Sequence, residues 1–228
     1  MPRRPRVATG GLVYHVLNRR VGRLLLFEQD SDYAAFERVL QEAIARSGIR
    51  LTAYCVMPNH WHLLLWPRRD DELSETLRWL TVTHTQRWHA SHRTAGWGPL
   101  YQGRFKSFPV QTDKHFLTVA RYVERNALRA NLVRRAENWR WGSLWRQTQG
   151  DAKAQALLGD WPVPRPRNWL AHVNRAENPQ ELTALRRSVQ RGQPFGGEAW
   201  RNRTAQRLSL ESTLRPRGRP RKENDDEL

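Results

Sequence analysis

Two rhythms of apolar residues alternate along the first half of the chain and a little beyond, one of period two and one of period three to four. Val13 to Leu17 (Val-Tyr-His-Val-Leu), just after Gly10-Gly11, reads as a short strand. From Ser31 the rhythm changes, with Tyr33, Phe36, Val39, Leu40 and Ile44 at helical spacing. Ser31 or Asp32 is placed to cap that helix, and Gly48 ends it. Ile49 to Met57 reads as a strand, Pro58-Asn59 as a turn and His60 to Trp66 as a second strand, together a hairpin. Leu73, Leu77, Leu80 and His84 mark a helix from Glu72 into the Trp88 region. A loop with Gly96 and Gly98 leads to a strand over Phe105 to Gln111. Lys114 to Arg129 then reads as a helix with Phe116, Leu117, Ala120 and Val123 inward.

The order strand, helix, strand, strand, helix, strand, helix predicts an α+β fold, an antiparallel sheet covered by helices in a split β-α-β arrangement. Past Asn131 the character shifts. Trp139, Trp141 and Trp145 form an aromatic cluster, Pro162 to Pro166 is a rigid irregular segment, and Pro179 to Arg191 and Gly197 to Leu208 are helix-like. Arg215 to Lys222 (Arg-Pro-Arg-Gly-Arg-Pro-Arg-Lys) cannot bury a core and is expected to be extended or disordered. The expected division is a domain over 1–150, a helical extension over 151–210 and a basic tail over 211–228.

Charge narrows the partners. Lys and Arg number 39 against 22 Asp and Glu, a net charge of +17. Clustered cations gain affinity for phosphates by releasing counterions, so a nucleic acid is the expected partner, with adhesion to anionic membranes or plain solubility as the other readings. The single cysteine, Cys55, excludes an internal disulfide framework and a multi-cysteine zinc module, and its apolar setting suits a small buried side chain. No apolar stretch is long enough for a bilayer, and the basic N-terminus lacks the apolar core of a signal peptide, so a cytoplasmic location is expected. The 11 tryptophans should serve mostly as core, with some able to stack on unpaired bases.

Two constellations carry chemistry. In Pro58-Asn59-His60-Trp61-His62-Leu63, strand alternation puts His60 and His62 on one side, roughly 6–7 Å apart, where they can share a divalent ion. The alternative is a histidine that only satisfies a local hydrogen bond. On the last helix, Tyr122 and Asn126 lie four residues apart and share a face, among Arg121, Arg125 and Arg129. A tyrosine among cations can attack a phosphodiester and hold the DNA end as a phosphotyrosine. Alternatively Tyr122 anchors the helix and Asn126 caps it. Glu124, at i+2, should face away from Tyr122.

Taken together, a turn, His-apolar-His and a downstream helix with Tyr and an i+4 amide resemble the HUH superfamily of single-tyrosine nucleases and transposases, and within it the REP-associated tyrosine transposases. The matching stretches are Gly11 to Arg19 (GLVYHVLNR), Ala53 to His62 (AYCVMPNHWH), Tyr101 to Lys106 (YQGRFK) and the Tyr122 helix, in order over roughly residues 1–150. Arg191 to Gly196 and the basic tail are similar to that family's tail. The resemblance implies a ferredoxin-like HUH fold and Mg²⁺ or Mn²⁺ held by His60, His62 and Asn126. It also implies attack by Tyr122 to give a 5′-phosphotyrosine and a free 3′-OH, on palindromes that fold as DNA hairpins beside a short single-stranded guide. One departure is Ala127 after Asn126, where the family commonly has proline; alanine is expected to let the helix continue straighter.

Further DNA contacts are expected from Arg104 and Lys106, which alternate with Phe105, though a solvated edge pair is the competing reading. Arg217-Gly218-Arg219 resembles an AT-hook core, suited to the narrow minor groove of A·T-rich duplex. Tyr14, His15 and Arg19 are given no individual role. The expected activity is metal-dependent cleavage and rejoining of single-stranded DNA at hairpins, by a cytoplasmic, nucleoid-associated protein. The alternative is a catalytically degenerate hairpin-binding protein. A replication initiator of the same superfamily is disfavoured, because those are tied to helicase modules. Monomer and homodimer both remain open.

Overall fold

Alternation along the strands builds two cores, one on each side of a single sheet. The computed structural model describes residues 8–215. Its elements begin with β1 (Val13–Arg19), α1 (Asp30–Ser47), β2 (Arg50–Met57), β3 (His60–Trp66), α2 (Glu72–His92) and β4 (Lys106–Val110). Then come α3 (Lys114–Glu124), α4 (Asn126–Arg129), α5 (Ser143–Gln149), α6 (Ala152–Gln155), α7 (Trp169–Asn174), α8 (Pro179–Arg191) and α9 (Glu198–Arg207). The strands form one sheet in the order β2-β3-β1-β4, and every pairing is antiparallel. This is the ferredoxin-like split β-α-β topology that the element order predicts.

Tyr14, Val16, Trp61, Leu63 and Leu65 point to one face, where Phe36, Leu40, Leu77 and Leu80 of α1 and α2 cover them. Val13, Leu64, Phe108 and Val110 point to the other, beneath Phe116, Val119, Ala120 and Val123 of α3. The result is three layers, with α1 and α2 on one side of the sheet and α3 on the other. An irregularity in β2 keeps this sorting intact: Leu51 pairs with Leu65 and Ala53 with Leu64, which leaves Thr52 as an extra residue. Cys55 lies inside the α3-side core, as its apolar surroundings suggest.

Several boundaries differ from expectation, most by a single residue at an end, and three differ more. The cap of α1 is Gln29 rather than Ser31 or Asp32, because the Asp32 carboxylate reaches back to accept the backbone N–H of Glu28 and Gln29 at 2.9 and 3.2 Å. Strand β1 continues to Arg19, held by pairing with His60 across the sheet. The Tyr122 helix does not run unbroken to Arg129; it is interrupted at Arg125, just before Asn126 and Ala127, so the absence of proline does not make it straight. Tertiary contacts compete with the helix here. The Arg125 guanidinium binds the Val173 and Asn174 carbonyls at 2.9 and 2.8 Å, and Arg129 donates back to the Tyr122 carbonyl at 3.4 Å.

The segment beyond residue 150 shares the α3-side core. Trp169 and Val173 of α7, Leu185 of α8 and Phe195 are all buried there. Phe195 also lies alongside Val110 as a parallel bridge, with hydrogen bonds of 2.9 Å to Pro109 and from Gln111. Of the three tryptophans expected to cluster, Trp139 and Trp141 gather on Tyr33 of α1 at 6.0 and 5.1 Å, and Trp145 joins them through the Arg140 guanidinium, 3.9 Å from its ring and 4.9 Å from that of Trp141. Among the described residues, no helix is long and apolar enough to cross a membrane.

Candidate active site

Because Trp61 and Leu63 are committed to the α1/α2 core, strand parity turns His60 and His62 toward α3. Their ring centroids are 4.9 Å apart. His60 pairs through Nδ1 with the Asn59 side-chain oxygen, an acceptor, which makes Nδ1 the protonated nitrogen and leaves Nε2 its lone pair. His62 Nδ1 lies 2.9 Å from Nε2 of His15 on β1. Burial keeps all three rings neutral. It pushes His15 and His60 down to about 3 and His62 well below the ordinary value, with Arg19 and Arg129 adding to the effect on the latter two.

Tyr122 enters from α3. Its ring stands edge-on to His62 at 5.8 Å and to His15 at 6.2 Å. The Arg129 guanidinium covers the ring face at 4.0 Å and donates to Asn126 Oδ1 at 2.9 Å, so one side chain ties the candidate nucleophile to the candidate amide ligand. Arg129 is itself held by both carboxylate oxygens of Glu177, at 2.9 and 3.0 Å. Among the described residues Asn126 Nδ2 is buried without a hydrogen-bond partner, which leaves the amide nitrogen under-satisfied. The fold thus brings His60, His62 and Tyr122 together, with Asn126 one turn further along and linked to Tyr122 through Arg129.

The other charged neighbours of Tyr122 in sequence are turned elsewhere. Arg121 donates to the Arg175 and Ala176 carbonyls at 2.7 and 2.9 Å, and Arg125 holds α7 as described. Both guanidiniums sit where the carbonyl end of a helix attracts cations. Glu124 faces away, as its i+2 position predicts. Fully buried, it accepts from Trp169 Nε1 at 2.7 Å and Ser143 Oγ at 2.8 Å, and burial raises its pKa above the usual carboxylate range.

Arg104 and Lys106 are exposed on either side of buried Phe105. Both line a groove of about 470 Å³ with Arg19 and Arg23, four cations on one surface. Arg19 pairs directly with His60, so the groove reaches the histidine end of the sheet. Asn18, Gly103 and Arg104 also border a larger cleft of about 760 Å³ between α2 and residues 99–105. Arg217, Gly218 and Arg219 lie outside the described residues. His15, Arg19, Arg129 and Glu177 help build the site although no sequence motif assigns them a role. Of these, His15 alone carries a usable signal, because it shares strand parity with the histidine face.

The buried rings make stability depend on pH. His84, bonded to the Tyr101 hydroxyl at 2.7 Å, is also held down to about 3 by burial. An unfolded histidine titrates near 6.5, so between about pH 6.5 and 3 the unfolded chain binds protons that these folded rings refuse. Their contribution to stability is complete above pH 6.5 and is lost as the pH falls through that window. Lowering the pH to 5 should remove about 2 kcal/mol per histidine. Calorimetry from pH 8 to 4.5 checks this; a flat melting temperature between pH 7.5 and 5 contradicts neutral buried rings.

A ferredoxin-like sheet carrying a His-apolar-His strand beneath a tyrosine helix is the HUH fold. In line with that, the solved structure of a REP-associated tyrosine transposase bound to a REP hairpin superposes with a TM-score of 0.54 at 17% identity, covering 78% of this chain and 92% of that one. A Deinococcus radiodurans R1 structure matches at 18% identity over 57% of this chain and 95% of its own, with a TM-score of 0.38. No curated protein matches. The family described as "Transposase IS200 like" matches residues 8–126, more than half of the chain, and the protein belongs to that family.

Proposed function

We propose that this protein cuts and rejoins single-stranded DNA beside a hairpin, with Tyr122 as nucleophile. One observation carries the reading: His62 of β3 and Tyr122 of α3, far apart in sequence, stand with ring centroids 5.8 Å apart. The Tyr122 oxygen attacks the scissile phosphorus, the bond from phosphorus to the 3′-oxygen breaks, and the phenol proton leaves to solvent or to that oxygen. A 5′-phosphotyrosine and a 3′-OH result. Because one ester replaces another, the reverse attack rejoins the strand. The neighbouring solved structure's hairpin supports a hairpin substrate here.

A divalent cation fits the donor set. Neutral imidazoles with a free Nε2 are the ligating form, and the Asn126 amide oxygen could join them by exchanging its bond from Arg129 for the cation. Among the described residues no three His, Cys, Asp or Glu side chains gather to hold a metal, so the remaining donors would come from the Asn126 amide, water and the DNA itself. Mg²⁺ or Mn²⁺ bound there would polarise the scissile phosphate. A second reading, a hairpin binder without activity, draws on the engagement of Asn126 Oδ1 by Arg129.

The deciding experiment incubates the protein with labelled single-stranded hairpin DNA and Mn²⁺ or Mg²⁺, then runs a denaturing gel. Cleavage with a covalent protein–DNA adduct, lost on chelation, is the expected result. Tight binding without cleavage in either metal selects the binder.

The DNA backbone is assigned to the groove of Arg19, Arg23, Arg104 and Lys106. Arg104→Ala and Lys106→Ala should each weaken binding across sequences and lower the salt slope by about one. Titrations at several salt concentrations test this; unchanged slopes return both side chains to a solvated edge. The same reading gives Arg217-Gly218-Arg219 an A·T-rich duplex as ligand.

A further inference from the structure

His15 shares a sheet face with His60 and His62, yet the proposed chemistry leaves it unused. It is fully buried, walled in by Phe108 at 4.8 Å and by the edge of Tyr122 at 6.2 Å between ring centroids. Leu17 is the residue of β1 directly opposite His62, so His15, two positions along, reaches His62 diagonally. The contact is a hydrogen bond, His15 Nε2 to His62 Nδ1 at 2.9 Å, while His15 Nδ1 is buried with no partner among the described residues.

We propose that His15 is a positioning residue that fixes the orientation and tautomer of His62 for metal binding. The proposal rests on the metal reading of His60 and His62. Two neutral rings share a single proton in this bond. When His62 Nδ1–H donates to His15, His62 Nε2 keeps a lone pair and can ligate a cation. When His15 Nε2–H donates instead, the remaining proton of His62 sits on Nε2 and blocks that nitrogen. A cation therefore selects the first arrangement, and His15 must accept. The same bond sets the ring plane of His62 on the side facing Tyr122. His15 thus plays for His62 the part that Asn59 plays for His60, whose Nδ1 is likewise taken by an acceptor.

The test measures Mn²⁺ affinity of the hairpin-bound protein by electron paramagnetic resonance, with the hairpin alone as blank and hairpin affinity in chelator as a control for folding. His15→Phe, which removes the acceptor, should weaken Mn²⁺ binding by about ten- to a hundredfold. His15→Gln, long enough to offer its amide oxygen to His62, should stay within a few-fold of wild type, and His15→Asn, one methylene shorter, should behave like His15→Phe. Should His15→Phe fail to fold, the difference between the Gln and Asn variants decides. Wild-type Mn²⁺ affinity in a folded His15→Phe, or equal affinity in the Gln and Asn variants, overturns the proposal and leaves the metal reading standing. No Mn²⁺ binding by the wild-type protein overturns both.

Discussion

Tyr122→Phe should abolish cleavage and the covalent adduct, a loss of roughly a thousandfold or more, while hairpin affinity stays unchanged. Only the hydroxyl is removed. The phenylalanine ring keeps its edge contacts to His62 and His15 and its place in the α3-side core, and the Arg129 guanidinium still lies over an aromatic face. The chain offers no obvious substitute. Of its five tyrosines, the other four, Tyr14, Tyr33, Tyr54 and Tyr101, all belong to the core on the opposite side of the sheet. Burial raises the pKa of each, to about 12 for Tyr14 and Tyr33 and further for Tyr54 and Tyr101, so none is readily ionised. Adduct formation and equilibrium binding on one labelled hairpin read the two effects separately. Persistent cleavage means a different nucleophile. Loss of binding together with cleavage makes Tyr122 a structural anchor.

What the sequence shows and what it hides divide along the range of the interactions involved. Strand parity is local, so alternation places His60 and His62 on the face opposite Trp61 and Leu63, and the structure has them there. Helical spacing is local too, and it puts Glu124 away from Tyr122. The cap of α1 falls two or three residues before the positions the pattern suggests, because Asp32 acts from inside the helix, back onto Gln29. The interruption at Arg125 has no sequence signal: Arg129 donates to the Tyr122 carbonyl there, and the Arg125 guanidinium reaches α7, nearly fifty residues downstream. The same holds for Glu177, which reaches Arg129 only once α7 has packed. In the sequence, the arginines around Tyr122 read as cations beside a candidate nucleophile. Arg121 and Arg125 instead spend their donors on the carbonyls that end α7, and the cations lining a surface groove come from β1, its following loop and the approach to β4.

That packing makes α7 part of the half of the molecule that carries Tyr122, and Trp169→Ala is expected to show it. Trp169 is buried in the α3-side core, edge-on to Trp161 at 5.0 Å, with its Nε1–H donated to Glu124 at 2.7 Å. Truncating a buried tryptophan costs about 3–5 kcal/mol. Glu124 would also lose a donor that holds its charged form, leaving a fully buried carboxylate on Ser143 and Gln147 alone. Trp169→Phe separates the two parts: it retains most of the packing, removes only the N–H, and should cost about 1–3 kcal/mol. Urea unfolding distinguishes the outcomes. A single transition, shifted to a lower midpoint at constant slope, means that α7 and the sheet unfold as one unit. Activity should fall with it, because a displaced α7 deprives Arg121 and Arg125 of their carbonyl acceptors and loosens the helix that presents Tyr122. A loss of less than about 1 kcal/mol, below what any buried tryptophan truncation should cost, would instead place α7 outside the cooperative core.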